Sequence, residues 1–190
     1  MNWRSLEKYD QIVLSRLVDG DYAGALEALV LGYQHIMVGF CTNMLGDQTQ
    51  AEETSQEIFC VAFQAMPRYR QAASVRTWLF SIARKQCFKA LRTQHRRGRI
   101  ERERESLIAD RIHRDPDLSP EDDPDAAVRE IRQALLKLDK SERSLLLMRY
   151  DSELKITELA HILGISAASV RRRLARALDQ LREAVKDDPR

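Results

Sequence analysis

Apolar residues recur at intervals of three and four along almost the whole chain, and no segment alternates apolar and polar residues as a half-buried strand does. Only 7 glycines and 5 prolines interrupt the 190 residues, so the predicted elements are long. The pattern predicts an all-α fold made of two small helical domains joined by a flexible acidic linker, the second containing a helix-turn-helix.

Four helices are predicted in the first half, at about Gln11–Val18, Tyr22–Met44, Gln48–Met66 and Val75–His95. Gly46 is placed to cap the second helix, and Pro67 ends the third. Residues 98–125 combine many charges with three prolines and little apolar content, which predicts a linker. The predicted domains are therefore residues 1–97 and 126–190.

The formal net charge is only +2, but the charges are segregated along the sequence. Arg84 to Arg99 holds seven cations and no acid, whereas Asp110 to Asp125 holds seven acids and two arginines, a net charge of 2 − 7 = −5. A folded core has no use for such blocks of charge. They indicate charged partners.

Other chemistry has little support in the sequence. The three cysteines, Cys41, Cys60 and Cys87, lie far apart among apolar neighbours, and we interpret them as reduced core residues. No metal-binding, phosphate-loop or clustered catalytic motif is present, so no metal, cofactor or enzymatic activity is expected. No apolar run approaches the roughly 20 residues of a membrane span, and no signal-peptide core is apparent. We expect a cytoplasmic protein.

A helix-turn-helix is predicted between Ile156 and Val185, with its turn at Gly164-Ile165-Ser166. Ala160 allows the two helices to approach closely, the turn glycine supplies a positive φ, and Val170 packs the second helix onto the first. The serine of the turn is a suitable N-cap for the second helix. These positions are typical of a DNA-binding helix-turn-helix.

The second helix has one apolar and one basic face. At 100° per residue, the apolar face holds Val170, Leu174, Ala177, Leu178 and Leu181. The outward face and its two flanks hold Ala168, Ser169, Arg171, Arg172, Arg173 and Arg176. The small residues let the helix enter a major groove, where arginines reach guanine edges and phosphates. The alternative, a merely solvated basic helix, is weakened by the turn pattern beside it.

The segment GDQTQAEETSQEIFCVAFQAMPRYRQAASVRTWLFSIARKQCFKALRTQHRR, Gly46 to Arg97, resembles region 2 of bacterial sigma factors of the extracytoplasmic-function (ECF) group, in group 4 of the sigma-70 family. The second half, through ITELAHILGIS and the helix that follows it, resembles region 4 of the same family. The resemblance implies a promoter-specificity subunit of RNA polymerase that is not itself an enzyme. It covers nearly the whole chain except the linker.

In this family, one helix of region 2 docks on the coiled coil of the largest polymerase subunit. The resemblance assigns core polymerase binding to Asp47, Glu52, Glu53, Gln56 and Glu57, which also form a polar, acidic face. It further implies a contact with the polymerase flap, control by an anti-sigma factor, and a monomeric free chain.

Aromatic residues interleave with cations after Pro67, as in proteins that stack unpaired bases and follow a phosphate backbone. Tyr69, Trp78 and Phe80 are the aromatic residues of this segment, although core packing is the favoured role for the Trp78 ring. The resemblance assigns recognition and melting of a minus-10 element to Tyr69, Arg70, Gln71, Ser74, Arg76, Trp78, Arg84, Lys85 and Lys89. It assigns the minus-35 element to the outward residues of the second helix of the helix-turn-helix.

Several positions depart from the family pattern. Thr54 and Ser55 occupy usually apolar positions, and Lys155 occupies a position where serine often caps the helix. Arg84-Lys85 replaces a usual asparagine, and Ala168 and Arg172 replace commoner residues of the recognition helix, so promoter preference is expected to be unusual. Asp139 replaces a proline, and Asp139 and Glu142 together resemble a capping box.

Two further hypotheses remain open at this point. A conventional dimeric helix-turn-helix regulator would bind palindromic duplex DNA without polymerase, but the polymerase-binding and aromatic segments argue against it. For the acidic linker, we hypothesise a place in a basic polymerase channel, where its charge mimics nucleic acid.

Overall fold

The computed structural model describes the backbone of residues 6–105 and 126–186, and the side chains of residues 6–96 and 128–186. The helices are α1 (Glu7–Val18), α2 (Tyr22–Leu45), α3 (Gln48–Ala65), α4 (Val75–Glu105), α5 (Ala126–Lys137), α6 (Lys140–Leu146), α7 (Ile156–Leu163) and α8 (Ala167–Lys186). Within the described residues the fold is all-α, as predicted. The acidic block lies outside them, and so does most of the predicted linker.

The N-terminal half is a bundle of α1 to α4. Asp21 and Asp47 cap α2 and α3 by accepting the backbone N–H groups of Gly24 and Gln50 at 2.9 and 2.7 Å. Gly46 ends α2 with φ +76°, so the predicted glycine cap is confirmed. A short 3₁₀ turn, Met66–Arg68, follows α3 at the predicted proline.

Two boundaries differ from the prediction. Helix α1 begins four residues earlier than predicted, and α4 continues ten residues past His95. The added stretch of α4, RRGRIERERE, is rich in arginine and glutamate, which have high helix propensity. A segment with few apolar residues can remain helical when its polar residues have high helix propensity. Helix α4 therefore continues into the first part of the predicted linker.

The core contains two of the three cysteines and one unexpected aromatic residue. Cys41 and Cys87 are buried with their Sγ atoms 3.6 Å apart, whereas Cys60 is exposed, so its assignment to the core was wrong. Phe80 is fully buried and packs edge-to-face on Phe40, with ring centroids 5.4 Å apart. It is therefore a core residue and not a base-stacking one.

The C-terminal half contains α5 to α8, with a π-helical turn, Leu147–Asp151, after α6. Asp139 caps α6 by accepting the Ser141 N–H at 2.7 Å, as predicted for the cap. Glu142 does not complete the predicted capping box, because its carboxylate lies beside α8, 3.5 Å from the Arg176 Nε.

The predicted helix-turn-helix is formed by α7 and α8. Gly164 adopts φ +65° at the end of α7, and the Ile165 N–H donates to the Ala160 carbonyl at 3.2 Å. The Ser166 hydroxyl accepts the Ser169 N–H at 3.2 Å and so caps α8. The buried residues of α8 are Val170, Leu174 and Ala177, all on the predicted apolar face.

The two halves pack against each other around one buried guanidinium. Arg143, only 7% exposed, donates to the Met44 carbonyl at the end of α2 and to the Leu136 and Leu138 carbonyls at the end of α5, the last two at 2.6 and 3.1 Å. The last carbonyls of a helix have no partner within it. One side chain therefore satisfies the ends of two helices from different halves of the chain.

Helix α2 is long and apolar enough, by length and composition, to cross a membrane. It has a single acidic residue and no lysine or arginine. Ten of its 24 side chains are buried in the bundle, which accounts for this composition without a membrane.

Gly46→Ala tests the packing of the two halves. Its φ of +76° strains any L side chain by roughly 1–2 kcal/mol, and a Cβ there would lie 3.0 Å from a methyl group of Leu136. Gly20→Ala is the matched control, because Gly20 has φ +74° and nothing within 4 Å of the added Cβ. Urea unfolding is expected to show a larger loss for Gly46→Ala. Equal losses would contradict the contact between α2 and α5.

Candidate nucleic-acid and polymerase interfaces

The outward face of α8 is basic and accessible. Arg171, Arg172, Arg173 and Arg176 are all exposed, while Ser169 is half-buried near the start of the helix. The Arg172 Nη2 donates to the Ser169 hydroxyl at 3.0 Å, and the Ser166 hydroxyl donates to the same oxygen at 3.0 Å. This chain of hydrogen bonds orients one arginine along the N-terminal part of the helix, the part that enters a major groove in helix-turn-helix proteins.

Arg176 is held differently. Its side chain is 73% exposed, and its Nε pairs with Glu142 of α6, whose side chain is 19% exposed. An exposed ion pair of this length is weak, so the arginine remains available to an anionic partner. Glu142 was missed as a neighbour of the recognition helix, because the sequence places it 34 residues away.

Helix α3 presents an exposed polar face. Glu52, Glu53, Gln56 and Glu57 are exposed on it, while Thr54 and Ser55 are buried beneath it. Asp47 has a local role at the start of the helix, because its carboxylate accepts the Gln50 N–H.

An aromatic side chain extends the same face. Phe63, which was not predicted as a site residue, is 42% exposed seven residues after Gln56, the spacing of two helical turns. Aromatic residues, phenylalanine included, are enriched in protein interfaces relative to the rest of the surface. That spacing is the signal that could have found Phe63 in the sequence.

Specific side-chain contacts hold the loop between α3 and α4. The Tyr69 hydroxyl donates to the Ala73 carbonyl at 2.6 Å, and the Tyr69 ring packs on Trp78 with centroids 4.8 Å apart. Gln71 adopts φ +55°, which is uncommon for a residue with a Cβ. The Trp78 ring is half-buried and packs against the core. Two cavities, of about 370 and 230 Å³, open on either side of this loop.

The basic residues of α4 lie in different surroundings. Lys85 and Lys89 are exposed, and the Lys89 Nζ lies 2.5 Å from the Glu57 carboxylate of α3. Arg84 stacks on the Phe88 ring at 4.2 Å and donates to the Ser144 hydroxyl of α6 at 3.4 Å. Burial lowers the pKa of Arg84, and the positive charge of Arg173 lowers it further. The two sets of predicted DNA-binding arginines therefore approach each other in this arrangement.

The start of α4 carries contacts that the sequence did not indicate. Glu158 of α7 accepts hydrogen bonds from the Thr77 hydroxyl at 2.7 Å and from Ser74 and Arg76 at 3.3 and 3.4 Å. His161, one turn further along α7, lines the smaller cavity beside Trp78. Glu158 and its partners on α4 are about 80 residues apart in the chain, so no local sequence pattern predicts their contact.

Within the described residues, no group of three or more histidine, cysteine, aspartate or glutamate side chains is arranged to hold a metal ion. The arrangement of the site is that of binding surfaces: a basic helix, an acidic helix and an aromatic loop.

A family model described as "Sigma-70 region 2" matches residues 29–97. A second family model, described as "Sigma-70, region 4", matches residues 128–181. The probable RNA polymerase sigma-C factor of Mycobacterium bovis is 31% identical over 159 residues, covering 83% of this chain and 81% of the relative. The chain belongs to the sigma-70 family, in its ECF group.

Another relative of this ECF sigma factor, the RNA polymerase sigma-H factor of Pseudomonas aeruginosa, is 27% identical over 188 residues and covers 94% of this chain and 95% of its own.

Solved structures share the fold. The sigma factor RpoE in complex with the anti-sigma factor NepR, from Bartonella quintana, matches with a TM-score of 0.63 at 20% identity, covering 86% of this chain and 98% of that chain. CnrH in complex with the cytosolic domain of CnrY matches with a TM-score of 0.69 at 20% identity, covering 95% of this chain and 99% of that chain.

Proposed function

We propose that this ECF sigma factor directs core RNA polymerase to a subset of promoters and aids strand opening there, acting in the cytoplasm as a subunit without catalytic activity of its own. The observation that carries the proposal is the joint presence of an exposed recognition helix in region 4 and a structured aromatic loop in region 2. A conventional dimeric helix-turn-helix regulator is not favoured, because the N-terminal half belongs to a sigma region and not to a sensor domain.

Region 4 is proposed to read the minus-35 element. The exposure of the arginines on α8 and the hydrogen bonds that orient Arg172 support this role. Base-edge contacts come from the outward residues, and phosphate contacts come from the flanking arginines. The residues are Ala168, Ser169, Arg171, Arg172, Arg173 and Arg176.

Region 2 is proposed to bind the minus-10 element, with 1–97, 98–125 and 126–190 as the functional divisions of the chain. The cavities beside Tyr69 offer space for an unstacked base, and the exposed Lys85 and Lys89 lie on the helix that follows the loop. Aromatic stacking is worth about 1–3 kcal/mol per base. The residues are Tyr69, Arg70, Gln71, Ser74, Arg76, Trp78, Arg84, Lys85 and Lys89.

Two surfaces are proposed to hold the polymerase. The exposed face of α3 is assigned to the coiled coil of the largest subunit through Asp47, Glu52, Glu53, Gln56 and Glu57, with Phe63 as an added apolar contact. An apolar groove of about 470 Å³ is assigned to the flap; it is lined by α5, α6, the π-helical turn and α8, and also by Asn43 of α2. Val128, Ile131 and Tyr150 on its rim are each about half exposed.

An anti-sigma factor that covers these polymerase-binding surfaces is proposed as a further partner. The structure of similar fold in which the sigma factor RpoE is bound to the anti-sigma factor NepR supports that proposal. The free chain is proposed to be a monomer.

Run-off transcription with purified core polymerase tests the function, and Arg172→Ala tests the reading of DNA. The wild-type chain is expected to give initiation at a discrete set of sites in a genomic promoter library. Arg172→Ala is expected to lose about 1–3 kcal/mol of discrimination at one base pair of the minus-35 element, since a bidentate contact is lost. Arg182→Ala, an exposed arginine ten residues further along α8, is the control. Absence of stimulation by the wild-type chain contradicts the proposal.

Glu53→Lys tests the coiled-coil contact. Reversing one exposed charge on α3 is expected to weaken core polymerase binding roughly tenfold, about 1.4 kcal/mol, since the face is proposed to meet a complementary surface. Glu183→Lys makes the same change on the exposed face of α8 and is expected to bind core polymerase as the wild type does. Surface plasmon resonance measures both. Equal affinities for the two variants contradict this assignment of α3.

Ile131→Lys tests the apolar groove. A lysine on the rim is expected to reduce transcription from promoters that need a minus-35 element, because region 4 is then held less firmly by the flap. Val18→Lys adds the same charge at an apolar residue that is 76% exposed on α1, and it serves as the control. If both variants transcribe equally well at such promoters, the groove does not hold the flap.

A further inference from the structure

Two of the three cysteines form a contacting pair in the core of region 2. Cys41 of α2 and Cys87 of α4 are both fully buried, and their Sγ atoms are 3.6 Å apart. The two residues are 46 positions apart in the chain, so the fold and not the local sequence brings them together. A disulfide bond is about 2.05 Å long, so the two sulfurs lie roughly 1.5 Å beyond bonding distance.

The pair lies where α2 and α4 pack on each other. Phe80, Ala83 and Cys87 follow at spacings of three and four on α4, so they share one face of the helix, and all three are fully buried. Phe80 packs edge-to-face on Phe40, the residue before Cys41 in α2. A bond between the two sulfurs would therefore join helices that are already in contact.

The surroundings of the pair keep its thiols protonated. The hydrogen bond with Cys41 and burial both raise the pKa of Cys87. The thiolate is the nucleophilic form of cysteine, so the first oxidation has to await a transient opening of the core. The second step is fast, because the partner thiol is already in contact with the oxidised sulfur.

We propose that Cys41 and Cys87 are a redox-modification site, at which hydrogen peroxide converts two core thiols into a reversible disulfide between α2 and α4. The reduced pair is the resting state, since disulfides in cytosolic proteins are mostly transient and redox-responsive. The inference concerns the core of region 2 and does not depend on the proposed promoter function.

The reaction balances with one peroxide for each pair. The thiolate of one cysteine attacks a peroxide oxygen and breaks the O–O bond, which gives a sulfenic acid and a hydroxide that takes up the thiol proton as water. The sulfur of the second cysteine then attacks the sulfenic sulfur, and the S–S bond forms as the S–O bond breaks. The hydroxide released takes the second thiol proton. The two sulfurs lose two electrons together, and the peroxide is reduced to two molecules of water.

The disulfide would enclose the part of region 2 that carries its proposed interfaces. The closed loop, residues 41–87, contains all of α3 and the loop between α3 and α4. A cross-link restricts the unfolded chain more when the loop that it closes is longer. A partner thiol in contact also captures the sulfenic acid before it is oxidised irreversibly. Oxidised region 2 is therefore expected to be both more stable and recoverable.

Cys60→Ser provides the test in the full-length chain, because it removes the exposed thiol and leaves the buried pair. The protein is treated with hydrogen peroxide, at a dose that fully oxidises Cys60 in the wild type, and is then unfolded in iodoacetamide. Mass spectrometry is expected to show neither cysteine alkylated and a loss of two hydrogen atoms. Dithiothreitol is expected to restore two alkylatable thiols.

Cys60→Ser/Cys41→Ala and Cys60→Ser/Cys87→Ala are the controls, since each keeps one thiol of the pair. Neither is expected to form an intramolecular disulfide. The main measurement uses a chain with an unchanged core, so it stands whether or not these controls fold. Two alkylatable thiols in peroxide-treated Cys60→Ser, conversion of the pair to sulfinic acids, or disulfides between chains would each overturn the proposal.

Thermal unfolding followed by circular dichroism gives a second readout. The oxidised form of Cys60→Ser is expected to unfold roughly 5–10 °C above its reduced form, because the cross-link constrains the unfolded chain. Dithiothreitol is expected to abolish the difference, and peroxide is expected to leave the midpoints of the single-thiol controls unchanged. A confirmed disulfide that gives no rise in the midpoint would contradict its stabilising role in region 2.

Discussion

The buried guanidinium of Arg143 is the interaction on which the arrangement of this chain depends. Helix ends leave carbonyl groups without partners, and such groups are costly to bury. Arg143 donates to carbonyls at the ends of α2 and α5, and so fixes the corner between α5 and α6 against region 2. Helices α6 and α8 pack on each other, so the recognition helix takes its orientation from this corner.

The proposed functional surfaces lie on three different parts of the fold. The basic face of α8 points outward, the acidic face of α3 is exposed, and the aromatic loop lies under α7. Region 2 and region 4 therefore do not contribute two independent binding modules in this arrangement. Arg84 of the proposed minus-10 set approaches Arg173 of the proposed minus-35 set. At the same boundary, Arg76 of α4 pairs with Glu158 of α7.

Local sequence signals predicted the helices and their caps well, because each depends on residues within one or two turns. Gly46, Asp139, Gly164 and Ser166 lie where their cap chemistry required. The family resemblance identified the two regions and their order. What the sequence did not indicate were contacts between distant residues: Glu158 with Thr77, Arg143 with Met44, and Glu142 with Arg176.

Phe80 and Cys60 were misplaced for a related reason. Cys60 was assigned from its apolar neighbours in sequence and Phe80 from the cations interleaved with it, and neither signal says which side of a helix meets a second layer. Phe80 is buried against Phe40 of α2, while Cys60 lies on the exposed face of α3.

The central claim is that this chain opens promoter DNA together with core RNA polymerase. The most direct measurement is permanganate reactivity of thymines on a promoter found by run-off transcription. The account predicts reactive, unpaired thymines around position −10 only when the chain and core polymerase are both present. A tight footprint on duplex DNA by the chain alone, with no reactive thymines in the presence of polymerase, would contradict it.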